Sequence, residues 1–411
     1  MHWQPEKLPC ETPLLGFGNG RSYGDSCQNG AGHLLDCRGL DRFISFDQET
    51  GVLRAEAGVL LRDVLEYCLP QGWFLPVTPG TQYVTLGGAV ANDVHGKNHH
   101  RAGSFGHHVC AFGLLRSEEG LAVCSRHENS ELFKASIGGL GLTGLILWVE
   151  LQLKPVTSTC MRVRSQRFAN LDEFCSLSDA ADQSNEYTVA WVDCLARGEN
   201  LGRGVLFSAN HAHSSDLDGL SAGQNLSVPF TLPFSIINRL SLSAFNSLYY
   251  HRPRPLEQLT HYQPYFYPLD RIGHWNRIYG PKGFLQYQCL VPPHNERDAV
   301  GDILKQIATS GTGSFLAVIK RFADQPAAGM LSFARAGTTL ALDFPNQGES
   351  TFQLLDTLDN IVMQAGGAVY PAKDACMRPE LFRAAYPELE AFKACKDPAF
   401  SSSLWRRLME E

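Results

Sequence analysis

The chain lacks the patterns that mark several classes of protein. Its 411 residues include twelve cysteines, but no two have CxxC spacing, which excludes zinc-ribbon and thioredoxin-like motifs, and we expect no metal site. No stretch reaches the ~18 apolar residues that a membrane-spanning helix needs. Lysine and arginine total 35 against 42 acidic residues, and no basic stripe is present, which excludes nucleic acid as an expected partner.

A secretory signal is also missing, because residues 1–13 are polar and contain prolines instead of an apolar core. We therefore expect free thiols in a reducing cytoplasm. The most apolar stretch, 228–250, is interrupted by prolines, asparagines and an arginine. It predicts either a loop and helix in a domain core, or an apolar surface that receives a lipid tail or touches a membrane.

Glycine is abundant in the first 145 residues, where it separates short strands. Four segments are rich in it: GFGNGRSYGD (16–25), TPGTQYVTLGG (78–88), HGKNHHRAGSFG (95–106) and GGLGLTG (138–144). Between and after them we predict strands at 51–57 and 145–153 and a helix at 60–69. This alternation predicts mixed α and β structure with the glycine loops along one edge.

Beyond about residue 156 the strands become longer and more apolar. We predict strands at 188–192, 283–291, 314–320 and 339–344, helices at 295–309 and 351–365, and a basic amphipathic segment at 402–408. Such interleaving predicts an antiparallel sheet with helices on one side. The predicted fold class of the whole chain is therefore α+β.

Glycine loops can hold phosphate groups, because without a Cβ atom the backbone N–H groups approach the phosphate oxygens closely. The first loop contains G-x-G but lacks the long helix and the downstream acidic residue of a dinucleotide fingerprint. Alone it is equally consistent with a hairpin turn. Four such loops within about 130 residues favour a long ligand with a central pyrophosphate.

Ten short motifs extend from about residue 14 to the C-terminus. They are GRSYGD (20–25), PGT (79–81), GGA (87–89), HGKNHH (95–100), GSFG (103–106), GLTG (141–144), WNRIY (275–279), GFLQYQ (283–288), DFP (343–345) and AKD (372–374). In these motifs the chain resembles the vanillyl-alcohol-oxidase-type (PCMH) family of FAD-dependent oxidoreductases. HGKNHH and GFLQYQ resemble the branch of decaprenylphosphoryl-β-D-ribose 2′-oxidases.

The resemblance implies a two-lobed FAD-binding fold. Residues 1–156 and 368–411 would form a split cofactor lobe, and 157–367 an inserted substrate lobe built on an antiparallel sheet. FAD would be bound non-covalently, because Tyr23 stands where lactone-oxidising relatives carry a histidine tether. The residues implied to bind FAD are Gly16, Gly18, Gly20, Arg21, Ser22, Tyr23, Gly24, Gly80, Thr85, Gly87, Gly88, Asn92, His95, Ile146 and Tyr370. Only fifteen residues precede Gly16, which implies either that the true start of the chain lies further upstream or that the adenine end of the FAD site is less enclosed.

Oxidation of a secondary alcohol needs a base for the hydroxyl proton and a positive charge beside the reduced flavin. A desolvated lysine can serve both purposes. Lys373 matches the family's active-site lysine, the alternative being a surface lysine at a helix start. His95 and Lys97 are the other catalytic candidates, and His95 is expected either to be structural or to take part in proton transfer. His99 and His100 are expected to be structural.

The resemblance also implies a substrate pocket. Its residues would be Gln286, Gln288, Lys320, Phe322, Trp191, Phe266 and Thr339. The polar ones would bind phosphate and sugar hydroxyls, although strand-ending polar residues also cap sheet edges, and the aromatic ones could equally belong to the core. Thr339 and Ala341 stand where actinobacterial relatives carry Asn and Cys, which leaves the exact substrate open.

The leading hypothesis is oxidation of the 2′-hydroxyl of a polyprenyl-phosphoryl ribose to a 2′-keto sugar. An NAD(P)H-dependent reductase would complete the epimerisation to arabinose for a cell-envelope glycan. One alternative is an aldonolactone or sugar-alcohol oxidase of the same fold. Another is a non-catalytic flavin- or lipid-binding relative, against which the retained lysines argue. We expect a cytoplasmic protein, with peripheral contact to the inner membrane as a further hypothesis.

Overall fold

The fold is taken from a computed structural model, which describes residue 8 and residues 12–213 and 226–409. Up to residue 156 the strands are β1 (Leu14–Phe17), β2 (His33–Asp36), β3 (Phe43–Phe46), β4 (Val52–Glu56), β5 (Trp73–Phe74), β6 (Val109–Arg116), β7 (Gly120–Ser125), β8 (Leu145–Gln152) and β9 (Lys154–Pro155). The helices of this part are α1 (Leu61–Cys68), α2 (Leu86–Ala91), α3 (His99–Ala102) and α4 (Ser130–Ser136).

The middle of the chain supplies the longer elements. Its strands are β10 (Cys160–Phe168), β11 (Tyr187–Val192), β12 (Gly204–His211), β13 (Leu226–Ser227), β14 (Glu257–His261), β15 (Ile272–Gly273), β16 (Phe284–Val291), β17 (Val318–Phe322) and β18 (Gly337–Pro345). Its helices are α5 (Leu171–Ser184), α6 (Arg239–His251), α7 (Tyr262–Phe266), α8 (Glu296–Ser310) and α9 (Glu349–Gln364).

The C-terminal part adds one strand and three helices to the described structure. They are β19 (Ala368–Val369), α10 (Pro379–Ala385), α11 (Leu389–Cys395) and α12 (Ser403–Met409). Short 3₁₀ turns lie at Leu69–Gln71, Phe105–His108, Gly198–Asn200, Trp275–Tyr279, Pro293–Asn295 and Pro371–Lys373. The last of these turns carries Lys373, the proposed active-site lysine.

Two antiparallel sheets organise the molecule. Five strands of the first part form one sheet in the order β3-β4-β8-β6-β7, and eight strands form the other in the order β14-β10-β12-β11-β17-β18-β16-β19. Smaller pairs are β1 with β2 and β13 with β15, both parallel, and β5 with β9, antiparallel. The predicted α+β class is confirmed.

One face of the eight-stranded sheet is covered by helices. Helices α8 and α9 bury Ile303, Leu304, Leu355 and Leu358 in the same apolar cluster as Leu340 of β18. Helix α8 has acidic residues in its first turn, which stabilise its N-terminus. It is followed by Gly311 in the left-handed conformation, which stabilises its C-terminus. The helices leave the other face of this sheet free to line a cavity.

The C-terminal segment returns to the beginning of the chain. The two-residue strand β19 (Ala368–Val369) pairs with β16 and forms one edge of the large sheet. Further on, the amide of Leu14 donates to the carbonyl of Ala399, 2.7 Å away, and Arg407 forms ion pairs with Asp25 and Asp374 at 2.8 and 2.7 Å. The last residues thereby fix the position of the first glycine loop.

Most predicted elements lie within a residue or two of the observed ones, but the strand expected at 314–320 is wrong in its first half. The structure has β17 at Val318–Phe322. Residues 314–317 are irregular, and the Ser314 hydroxyl accepts a hydrogen bond from the amide of Leu316 at 3.0 Å. Local side-chain bonding of this kind competes with strand pairing.

The apolar stretch at 228–250 contains a loop followed by helix α6, as the first interpretation of it predicted. Its inner side packs on the protein, but several of its large apolar side chains are exposed. No helix among the described residues is both long and apolar enough to cross a membrane.

Candidate active site

A cavity of about 640 Å³ lies between the glycine loops and the uncovered face of the large sheet, a size typical of cofactor sites. The expected FAD-binding residues that line it are Gly16, Gly18, Gly20, Arg21, Ser22, Tyr23, Gly80, Thr85, Gly87, Gly88, Asn92, His95, Ile146 and Tyr370. The expected catalytic and substrate residues that line it are Lys97, Lys373, Gln286, Gln288, Lys320, Trp191 and Phe266. Both ends of the chain and its middle thus meet at one site.

Three expected site residues lie behind the lining. A Cβ atom at Gly24, where φ is +77°, would come within 1.6 Å of the Asp374 carbonyl oxygen, so this glycine serves close backbone packing. Phe322 is buried with its ring stacked on His99, at 4.3 Å between centroids. Thr339 is wholly buried beneath Gln288. Gly24, Phe322 and Thr339 therefore do not line the cavity, contrary to the direct ligand contact expected of them.

The two remaining histidines of HGKNHH also lie away from the cavity lining. Both ring nitrogens of His99 are buried without a partner among the described residues, in a site enclosed by aromatic packing. The Nε2 atom of His100 donates to the carbonyl of Asn185 at 3.0 Å. Their positions agree with the structural role that the sequence predicted.

The glycine loops present free backbone donors to the cavity. None of the described residues accepts a hydrogen bond from the amides of residues 18–22 or from those of Gly80 and Thr81, and both segments line the cavity. A Cβ atom at Gly18 would lie 2.4 Å from the Thr85 hydroxyl oxygen, so glycine is required for the two loops to approach. Clustered free amides at a glycine loop fit a pyrophosphate.

Alternation along the strands explains why the polar pocket residues share one face. In β16, Gln286 and Gln288 face the cavity, whereas Tyr287 between them is buried on the helix side. Strand β17 places Lys320 on the cavity face by the same two-residue period. The register pairs Gln286 with Asp343 of β18, which adds a carboxylate to this face.

Lys373 reaches the cavity from the 3₁₀ turn that follows Tyr370. Its Nζ atom lies 4.2 Å from the centre of the Tyr23 ring, which is cation–π distance. Burial lowers the pKa of the Lys373 ammonium from 10.5 to about 8, and the negative charge of Asp343 partly opposes that shift. A lysine with this pKa can both carry a charge and accept a proton near neutral pH.

Asp343 is the functional candidate that the sequence reasoning missed. It is 3% exposed, accepts a hydrogen bond from the Gln286 amide at 2.7 Å and another from the Tyr279 hydroxyl at 3.3 Å. Burial raises the pKa of its carboxyl to about 6. A carboxylate within the apolar strand TTLALDFP was the available signal, because buried charges require a partner.

Two further lysines are half-buried in the cavity wall. Lys97 has its Nζ atom 4.1 Å from the centre of the Tyr265 ring and donates to the Tyr265 carbonyl. Burial lowers the pKa of Lys97 to about 7. Burial, together with the charge of Lys373, lowers the pKa of Lys320 to about 8. Both shifts follow from burial and from a neighbouring lysine charge, and no carboxylate of the described residues opposes them.

His95 is held by Gln288. The Thr339 hydroxyl donates to the Cys289 carbonyl at 2.8 Å, so it accepts from the Gln288 amide nitrogen at 3.1 Å. The same nitrogen lies 2.8 Å from His95 Nε2 and donates its second hydrogen there. Burial and the Lys320 charge lower the His95 pKa well below its ordinary value, so the ring is neutral with its proton on Nδ1. The described residues offer no partner to that Nδ1.

Comparison with known proteins agrees with this geometry. Residues 10–125 match the FAD binding domain family. The chain is 35% identical to the decaprenylphosphoryl-β-D-ribose oxidase of Mycolicibacterium smegmatis, over 96% of this chain and 89% of that protein. It is 36% identical to an uncharacterised Streptomyces coelicolor protein, over 85% of this chain and 100% of the other. Its similarity to Mus musculus L-gulonolactone oxidase, 30% identical, covers 34% of this chain and 31% of that protein.

The fold, the cavity and the matched domain define an FAD-dependent oxidoreductase of the PCMH type. The similarity to the Mycolicibacterium smegmatis oxidase extends over nearly the whole of both chains, and the chain belongs to the decaprenylphosphoryl-β-D-ribose oxidase family. The expected family, enzyme class and cofactor are thereby confirmed. Within the described residues, no three histidine, cysteine or acidic side chains are grouped closely enough to hold a metal ion.

Proposed function

We propose that this enzyme oxidises the 2′-hydroxyl of a polyprenyl-phosphoryl ribose to the 2′-keto sugar. The observation that carries the proposal is the charge of the cavity, which is lined by four basic side chains, Arg21, Lys97, Lys320 and Lys373, and two acidic ones, Asp270 and Asp343. Arg21 is exposed, but the three lysines are half-buried, and an excess of positive charge that is partly removed from water is costly unless a ligand supplies anions. FAD brings a pyrophosphate, and the substrate would bring a phosphodiester.

Lys320 and Lys97 are proposed to bind the substrate phosphate. Both lie on the sheet side of the cavity, and among the described residues neither forms an ion pair with a carboxylate. Gln286 and Gln288, on the adjacent strand, are proposed to bind the sugar hydroxyls, with Trp191 and Phe266 as apolar walls. A phosphorylated sugar can form ion pairs with the lysines and hydrogen bonds with the glutamines, whereas a neutral lactone leaves the lysines without an anion.

Lys373 is proposed to take the proton of the reacting hydroxyl and to keep a positive charge near the flavin. When bound, FAD supplies the acceptor for the hydride that leaves the same carbon. The negative charge of Asp343 would keep the pKa of Lys373 in the range where both protonation states of the lysine are populated near neutral pH. His95, whose Nε2 is engaged by Gln288, is proposed to donate from Nδ1 and not to act as the base.

The glycine loops are proposed to hold FAD without a covalent bond, through the amides of residues 18–22, Gly80 and Thr81. The division into a cofactor lobe (1–156 and 368–411) and a substrate lobe (157–367) is also retained as a proposal. The keto product would be consumed by an NAD(P)H-dependent reductase that completes an epimerisation to arabinose. We propose a cytoplasmic enzyme that meets its lipid-linked substrate at the inner membrane.

Single-turnover stopped flow under anaerobic conditions tests the function. Mixing the enzyme with polyprenyl-phosphoryl ribose should bleach the flavin absorbance at about 450 nm. The matched control is the same lipid riboside without phosphate, which should reduce the flavin at least ~10-fold more slowly at equal concentration. Lys320→Gln should reduce that difference and leave only the part that Lys97 contributes. Faster reduction by an aldonolactone than by the phosphorylated riboside would contradict the proposal.

A further inference from the structure

Helix α6 has apolar side chains on two opposite faces. Its inner face packs on the protein: Leu242 is wholly buried, Asn246 donates to the Asp193 carboxylate at 2.7 Å, and the Tyr249 ring lies 4.6 Å from Trp191. On the other side, Leu240 and Leu248 are 83% and 72% exposed. They are eight residues apart, so they lie on the same side of the helix, two turns from one another. A helix that only completes a core would carry polar residues there.

The loop before α6 continues this apolar surface. Phe230 and Phe234 are 62% and 68% exposed, although the loop is held in place. The Leu232 amide donates to the Arg277 carbonyl at 3.2 Å, and the Ile236 amide to the Ile278 carbonyl at 3.1 Å. An ordinary protein surface has exposed apolar residues that are scattered singly, whereas here two phenylalanines and two leucines are exposed within one short segment. We call Phe230, Phe234, Leu240 and Leu248 the apolar face.

The chain segment that carries the apolar face contains charged side chains of one sign only. Residues 226–256 contain three arginines and no aspartate or glutamate, in a chain whose net charge is −7. Arg254 is engaged with Tyr249, whose carbonyl it contacts at 2.7 Å. Arg239 and Arg252 are exposed, and no carboxylate of the described residues pairs with them. Apolar side chains bordered by unpaired cations are complementary to a membrane surface that contains anionic lipids.

The same helix connects this surface to the active site. Tyr249 lines the cavity from the inner face of α6, together with Trp191 and Phe207 of the large sheet. The exposed leucines and the cavity wall are therefore two sides of one helix. A lipid-linked substrate held in the cavity would leave it beside a helix whose outer side is apolar.

We propose that the apolar face, with Arg239 and Arg252, docks the enzyme on the surface of a bilayer that contains anionic phospholipid. The exposed side chains enter the interfacial region while the arginines contact lipid phosphates. This inference extends the proposed function, because it places the cavity at the membrane where a polyprenyl substrate resides. Its test needs no turnover, so failure of the docking and failure of the catalytic proposal are distinguishable.

The test is sedimentation of the FAD-loaded enzyme with vesicles of phosphatidylcholine alone or with phosphatidylglycerol added. We expect binding to the mixed vesicles that weakens with added salt. The double variant Leu240→Gln/Leu248→Gln should bind at least about tenfold more weakly, and so should Arg239→Gln/Arg252→Gln. Leu121→Gln on β7, where Leu121 is 57% exposed, and Arg383→Gln on α10 are the matched controls and should bind as the wild type does.

Three results would overturn the proposal. The first is no binding of the wild type to mixed vesicles, or equal losses in the control variants. The second is a dimer in light scattering that the Leu240→Gln/Leu248→Gln variant dissociates, which would make the apolar face an interface between two copies. The third is unchanged vesicle binding by that variant, which would show that the exposed leucines do not contact the bilayer.

Discussion

The ammonium of Lys373 lies 4.2 Å from the centre of the Tyr23 ring, which joins the C-terminal segment to the first glycine loop inside the cavity. The two segments are also linked through the backbone, because the Tyr23 amide donates to the carbonyl of Ala372 at 2.7 Å. The position of the lysine is therefore set by the loop proposed to hold FAD. A cation on an aromatic face remains available to a ligand, since a ring does not neutralise it as a carboxylate would.

Replacement of Lys373 tests its proposed role directly. Lys373→Ala should lower kcat by ~10²–10⁴, the range for a positioned acid–base group, while FAD remains bound through the glycine loops. Lys373→Arg should not restore the rate, because guanidinium keeps the charge but does not accept a proton. The measurements are single-turnover flavin reduction and the FAD content of the purified variants.

Partial rescue by arginine would show that charge contributes more than base catalysis. Flavin reduction by Lys373→Ala at nearly the wild-type rate would contradict the role of Lys373 and show that the lysine is structural.

Asp343→Asn should move the pH dependence of flavin reduction. The Asp343 charge opposes the lowering of the Lys373 pKa, so its removal should bring that pKa further below about 8. The pH midpoint assigned to the lysine should therefore shift to lower pH, by ~1 unit. Asp359→Asn, which changes a buried carboxylate bonded to Tyr287 on the helix side of the sheet, should leave the midpoint in place. A wild-type midpoint in Asp343→Asn would show that Asp343 does not act on Lys373.

The stability of the FAD-free protein should rise with pH between about 7 and 10. The folded-state pKa of Lys97 is lowered from 10.5 to about 7, so in this range the unfolded chain binds more protons than the folded one. By linkage, the free energy of unfolding then increases with pH. Below about pH 7 the buried lysine is charged in both states and its full cost remains.

Lys97→Met should therefore raise the free energy of unfolding at pH 6 by roughly 1–3 kcal/mol and flatten its rise toward pH 10. Lys282→Met, at an exposed lysine, is the control and should leave the curve unchanged. Urea unfolding at several pH values provides the measurement. An equal rise with pH in Lys97→Met and in the wild type would remove Lys97 as its source.

The length of the substrate lipid should affect affinity. If the first isoprene units enter the apolar part of the cavity, shortening the lipid should raise KM by the factor that corresponds to a loss of ~0.8 kcal/mol for each CH₂ that is no longer buried. Steady-state kinetics with lipids of increasing length would show the rise and the length at which it stops. Equal KM values for short and long lipids would place the tail in solvent and favour a free sugar as the substrate.

Denaturation should release all of the FAD. Tyr23 occupies the loop position where lactone-oxidising relatives carry the histidine tether, and burial raises the pKa of its phenol above the ordinary value, so the phenolate nucleophile is disfavoured. After acid or heat precipitation, the flavin absorbance should be found in the supernatant. Yellow colour that stays with the precipitated chain would show a covalent link and refute this expectation.

Local patterns predicted the parts of the site that depend on local geometry. The glycine loops could be placed from the sequence, because the backbone freedom of glycine is a property of short segments. Gln286 and Gln288 were expected in the pocket from the resemblance to the family, and the two-residue period of β16 explains why they share one face. Asp343 was not assigned a role, because its importance follows from the pairing of β18 with β16. That pairing joins distant parts of the chain.

Phe322 shows the opposite error. The resemblance to the family placed it in the pocket, and its position two residues after Lys320 on β17 would also put it on the cavity face. Helix α3 covers that end of the strand, and His99 stacks on the Phe322 ring. Thr339 is hidden for a related reason, since its hydroxyl is used to orient Gln288. Which end of a strand is covered depends on tertiary packing, and the strand's own period contains no information about it.

The return of the C-terminal segment also has a consequence for the order of events during synthesis. Lys373 and the ion pairs of Arg407 with Asp25 and Asp374 lie near the end of the chain, whereas the glycine loops lie near its beginning. A nascent chain can form the five-stranded sheet early, but the contacts of the first glycine loop with Ala372 and Arg407 form only after the end of the chain has been synthesised. Completion of the catalytic site is thus a post-translational step, and a chain that ends before α12 lacks the ion pair between Arg407 and that loop.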